Sequence, residues 1–86
     1  MKVGATLEDL DRLANEFRQQ SAAARQLRSS ISGQLSSTDW IGEAANRFRG
    51  EWDGRYAPML ASLGDELEQL GGYVARKRAE LEQANR

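Results

Sequence analysis

The sequence predicts an all-α protein, a hairpin of two long antiparallel helices joined by one turn. Three observations lead there. Apolar residues recur at helical spacing in two segments that together cover most of the 86 residues. A single cluster of Ser, Thr, Asp and Gly separates these segments. The only proline, Pro58, lies inside the second segment and leaves the first uninterrupted. A chain of this length makes one domain.

The first helix is expected over residues 7–35. This stretch has no Pro, and its only Gly is Gly33. Leu10, Leu13, Phe17, Leu27 and Ile31, with Ala24 filling a gap, step by three, four and seven along one face. Thr6 and Asp9 are spaced as a capping box, with Asp in place of the usual Glu. Glu8, Asp9 and Asp11 add negative charge where the helix dipole favours it. At 1.5 Å per residue the helix would be roughly 43 Å long.

Residues 36–42, Ser36-Ser37-Thr38-Asp39-Trp40-Ile41-Gly42, break the pattern and form the turn. Trp40 is an anomaly there, since a side chain of that size needs a cover and its N–H a partner. We expect it to plug the tip of the hairpin, with Gly42 supplying a positive φ or a close backbone approach.

The second helix is expected over residues 43–82. Phe48, Trp52, Tyr56, Met59, Leu63, Leu67, Leu70 and Val74 step by fours and threes, an 11-residue period that Leu81 continues. Pro58 removes one backbone bond and crowds the carbonyl of residue 54, which is glycine. The apolar phase continues through Pro58 without slipping, which predicts a kink and no break. Gly50, Gly54, Ala57, Ala61 and Gly64 form a second, small-residue stripe. Such a stripe either reflects a GC-rich genome's use of Ala and Gly on solvent faces or lets another backbone approach closely.

Composition narrows the function. With 12 Lys+Arg against 13 Asp+Glu the net charge is −1, which argues against nucleic acid as the main partner. No Cys and no His are present. Disulfides, thiolate metal sites, the commonest general base and the commonest zinc ligand are therefore all missing. Asp65, Glu66 and Glu68, like Glu51 and Asp53, lie on or beside a polar helix face where water keeps them ordinary. Gly71-Gly72 is an isolated pair within a helical pattern and no phosphate loop. We expect no enzyme, cofactor or metal. Arg76-Lys77-Arg78 sits near a helix C-terminus, where cations complement the dipole. Glu80 and Glu82 dilute it as a membrane anchor.

Large core formers are scarce. Ala supplies 12 residues, while Leu, Ile, Val and Phe together number 16. A domain this small without staples is marginal alone, so we expect another chain to complete its core. Charges interrupt every stretch long before the roughly 20 apolar residues of a membrane span accumulate. The opening residues Met1-Lys2-Val3-Gly4-Ala5 lead into no apolar run of about 7–15 residues, so any export is expected to proceed without an ordinary leader.

Trp40-Ile41-Gly42 in a central turn, the continuation Ala45-x-x-Phe48-x-x-x-Trp52 and the flanking helices resemble the WXG100 family, the ESAT-6-like proteins of type VII secretion. The resemblance covers essentially the whole chain. It implies that the hairpin pairs antiparallel with a second one into a four-helix bundle dimer. The partner would be a copy of itself or a different WXG100-type chain from a neighbouring gene. The resemblance further implies export of the folded pair by a membrane ATPase, mostly in Gram-positive bacteria, and a role as secreted effector or as escort of a larger substrate. Arg outnumbers Lys 10 to 2, in keeping with a GC-rich actinobacterial coding bias. In many such pairs one partner carries Tyr-x-x-x-Asp/Glu as an export signal. Tyr73 is well placed for the tyrosine, but Lys77 stands where the acid belongs, and Glu80 is seven residues away. We therefore expect this chain to supply the turn and its partner the tail signal. Two alternatives remain at this point: a cytoplasmic adaptor for a toxin of the same system, and a membrane-active helical effector, which the mixed-sign polar faces and mean hydropathy of −0.69 disfavour.

Overall fold

The computed structural model describes residues 4–85, so the reading of Met1-Lys2-Val3 as lacking a leader falls outside it. Helix α1 spans Leu7–Ser37, α2 Glu43–Glu51 and α3 Ala57–Ala84. A π-helical turn, Trp52–Tyr56, joins α2 to α3, so the second arm is helical without interruption from Glu43 to Ala84. The arms form the expected hairpin, 65 Å long and 22 × 17 Å across. Both helices run two residues past their expected ends. At the end of α1, the Ser37 and Thr38 hydroxyls donate to the Gln34 carbonyl, at 3.1 and 2.6 Å, and prolong the last turn. At its start, the Thr6 hydroxyl accepts from the Asp9 N–H at 3.2 Å, the predicted cap.

Small residues, not the large apolar stripes, hold the arms together. Ala14, Ser21 and Ala24 of α1 are buried, as are Ala57, Gly64 and Gly71 of α3. Ala14 and Ser21 are seven residues apart, as are Ala57, Gly64 and Gly71 in succession. This is a heptad seam in which side chains small enough to let the backbones meet recur every two turns. A Cβ added at Gly71 would lie 3.2 Å from the Ala14 carbonyl oxygen and 3.2 Å from the Phe17 Cβ. Between these positions the Ser21 hydroxyl, buried, donates to the Gly64 carbonyl at 2.6 Å. Arg28 follows Ser21 one heptad on, with its Nε buried and unpartnered. The small-residue stripe of the second arm is thus divided. Ala57 and Gly64 pack on α1, whereas a Cβ at Gly50 or Gly54 would meet nothing.

The π turn corrects the expectation of an unslipped phase at Pro58. In an unbroken α-helix Trp52 shares its face with Met59 and Leu63, seven and eleven residues on. Here Trp52 is 8 % exposed, while Met59 and Leu63 are 55 % and 44 % exposed. Trp52 falls instead in line with Ala57, whose N–H donates to the Trp52 carbonyl five residues back, and with buried Ala45. Proline inside an α-helix costs about 3 kcal/mol through its lost N–H and its clash with the carbonyl four residues back. The π turn takes up one extra residue at that point and the apolar phase slips by one.

Candidate interaction surface

The tip is built around Gly42. Its φ of 118° and ψ of −179° place it in backbone space that only glycine occupies freely. Replacing it with valine is expected to cost about 1–3 kcal/mol and to lower the melting temperature by roughly 4–8 °C per kcal/mol. Thermal melting by circular dichroism checks this, and an unchanged midpoint would show that the turn relaxes to another shape.

Arg49 holds the tip closed. Its guanidinium donates to the carbonyls of Trp40 at 2.6 Å, Thr38 at 3.0 Å and Leu35 at 3.3 Å. These lie at and just beyond the end of α1, whose last turn carries no basic residue of its own. A cation from α2 therefore both caps the orphan carbonyls and complements the dipole of α1. Trp52 makes the other tie across the arms, its indole N–H donating to the Ser32 hydroxyl at 2.9 Å.

Trp40 does not plug the hairpin. It is 40 % exposed and leans on Phe48, with ring centroids 5.7 Å apart. Trp40, Ala44, Phe48, Trp52 and Tyr56, rimmed by Arg47 and Glu51, line an open groove of about 440 Å³. Trp52 and Tyr56 stack within it, 6.5 Å between centroids. Ile41, between Trp40 and Gly42, is 87 % exposed.

Along the body, Ala24 and Leu27 of α1 and Leu60, Leu63 and Leu67 of α3 line a smaller groove of about 230 Å³ between the arms. Most of the expected interface residues are open to solvent. Leu13, Leu27, Ile31, Phe48, Tyr56, Met59, Leu63 and Leu70 are exposed, and Leu10, Phe17, Leu67 and Val74 are half-buried. Trp52 alone of the set is buried within the hairpin itself. The chain exposes 6503 Å², about 1,400 Å² more than a compact monomer of its mass, while a standard interface takes ~800 Å² from each partner.

Charged residues bind the arms elsewhere. Across the arms Arg25 pairs with Asp65 at 2.8 Å and Glu68 at 3.5 Å, and Arg78 with Asp11 at 3.0 Å; within α3 Arg78 also pairs with Glu82. The hydrogen bond that Arg25 donates to Asp65, and the one that Arg78 donates to Glu82, raise the pKa of each guanidinium. Two of the three cations of Arg76-Lys77-Arg78 are thus paired: besides Arg78, Lys77 pairs with Glu80 at 3.1 Å, and its Nζ lies 5.3 Å from the centre of the Tyr73 ring. Tyr73 itself is exposed. Among the described residues no acidic cluster is disposed to hold a metal, and no helix is long and apolar enough to cross a membrane.

Nothing in the sequence pattern marks Arg49, Ser21 or Ser32 as structural contacts. Gly71 does leave a trace there, in its spacing of seven from Gly64. No family model, no curated protein and no solved structure matches the chain.

Proposed function

We propose that this chain is a non-enzymatic binding module, one half of a helical pair of the WXG100 type, exported by a type VII secretion system. The observation that carries the reading is the open apolar face. Two arms already joined through small residues leave Leu13, Leu27, Ile31, Met59, Leu63 and Leu70 in water, and a second hairpin laid alongside would cover them. Large exposed apolar patches mark interaction sites in soluble proteins. Burying each large side chain would contribute ~1.5–3 kcal/mol. The W-x-G turn, with a glycine-only backbone at Gly42 and Arg49 fastening it, supports the family assignment.

Native mass by light scattering at micromolar concentration tests the pairing, for the chain alone and co-expressed with a small helical chain from a neighbouring gene. A 1:1 complex of two hairpins is expected in one of the two preparations, and a monomer in both would overturn the pairing. Export is tested separately by appearance of the chain in the culture medium. It should stop when the system's membrane ATPase is deleted, and continued release without that ATPase would overturn the secretion reading.

A further inference from the structure

We infer that the π turn at Trp52–Tyr56, imposed by Pro58, is a phasing element. It rotates the hairpin tip so that the aromatic groove opens on the same side as the leucines of the body, giving one continuous face for a second hairpin. That this face receives a hairpin rests on the function proposed above. The phase itself is a property of this chain alone.

Tyr56 lines the tip groove. Leu60, Leu63 and Leu67, four, seven and eleven residues further on, line the groove along the body. These steps keep one face of an α-helix, so the two grooves open on the same side of the second arm. Upstream of the turn, Ala44 and Phe48 line the tip groove only because the helix has slipped by one residue. In a continuous α-helix everything before the turn would be rotated by about 100° relative to α3. Trp52 would then leave Ser32 for the face of Met59 and Leu63, and Ala45, now 0 % exposed, would leave the seam. Proline at position 58 works against that arrangement, since it has no N–H for the Gly54 carbonyl and its ring crowds that carbonyl. Gly54 and Asp53 are exposed, and a Cβ at Gly54 would meet nothing. The extra residue of the wide turn therefore serves no packing of its own, and its effect is the rotation.

The test compares two variants in a Trp40→Phe background, where Trp52 is the sole indole. Pro58→Ala restores the missing N–H and is expected to let the helix run through in α register. Acrylamide quenching of Trp52 should rise several-fold, its emission should move to longer wavelength, and protection of its indole N–H from exchange should be lost. Pro58→Ala combined with deletion of Gly54 removes the extra residue as well. This variant should return Trp52 to the quenching and exchange behaviour of the parent, because the tip regains its phase on an ordinary α-helix. If Pro58→Ala leaves Trp52 as protected as in the parent, or if the deletion fails to restore protection, the phasing role is wrong. Light scattering on the same variants in the Trp40 form reads the docking face. Pairing should weaken with Pro58→Ala and recover with the deletion. Absence of pairing in every form, including the parent, would count against the proposed function and leave the Trp52 result to decide the phase.

Discussion

Gly71→Leu is expected to destabilise the isolated hairpin by about 2–3 kcal/mol, a fall in melting temperature of roughly 10–20 °C for a chain of this size. The reason lies in the seam. The position of a Cβ at Gly71 is already 3.2 Å from a backbone carbonyl of α1 and 3.2 Å from the Phe17 Cβ. Neither is the far end of a flexible side chain, so the leucine can be housed only if the helices move apart. Moving them apart stretches the 2.6 Å bond from Ser21 to Gly64 one heptad away and opens gaps around Ala14 and Ala57. The neighbouring glycine provides the contrast. A Cβ at Gly72 would meet only the Arg76 guanidinium at 3.5 Å, a flexible group that can swing aside. Gly72→Ala should therefore stabilise by about 0.5–1 kcal/mol, the difference in helix propensity between the two residues. Two adjacent glycines are expected to respond with opposite signs in thermal melts of the same protein. Equal responses at the two positions would mean that the seam is not the close contact described above.

The two glycines also show where the sequence could be read and where it could not. Helix existence, the single turn, the Thr6 cap and the need for glycine after Trp40 follow from local chemistry, and local chemistry is what a sequence displays. Which face of each helix meets the other arm is a tertiary matter. The apolar stripe from Phe48 to Val74 looks like the natural seam, yet bulky side chains keep helix axes apart, and the arms join through the residues that let them come closest. The heptad Ala57, Gly64, Gly71 is visible in principle, but its first two members also fall in a stripe with Gly50 and Gly54, where an added Cβ would meet nothing. Pro58 misled for a related reason. Identical spacing on either side of a proline reads as an unbroken phase, and nothing in the pattern reveals that one residue is spent on a wide turn. Trp52 therefore looked like a member of the open face and is in fact part of the hairpin's own core. Arg49 could not have been found at all, because its three carbonyl partners are brought to it only by the closed turn.

Pairing should be most sensitive to Leu63→Glu. Leu63 is 44 % exposed in the single hairpin and lies in the middle of the body groove between Leu60 and Leu67. In the unpaired chain the glutamate can reach water, so the hairpin's own fold should lose little. On pairing, the same carboxylate would be drawn into an apolar interface with nothing to neutralise it, while the leucine's own contribution disappears. A leucine side chain buried on pairing contributes about 1.5–3 kcal/mol, and a buried unpaired charge adds to its loss. Pairing should weaken at least ~30-fold, and more in a self-paired dimer, where the change occurs twice. Phe17→Asp is a less clean choice, because Phe17 is half-buried beside the seam at Gly71, and a carboxylate in place of its ring would disturb the hairpin itself. Glu68→Ala serves as the control. Glu68 belongs to the ion-paired contact with Arg25, 3.5 Å away, where its own carboxylate is largely exposed and Arg25 partly so; water screens such a pair, and its loss should leave pairing unchanged. Light scattering over a concentration series gives the association constant, and circular dichroism shows whether the fold survives. A Leu63→Glu protein that stays helical and pairs like the parent would mean that the partner sits elsewhere, with the aromatic groove at the tip as the next surface to probe.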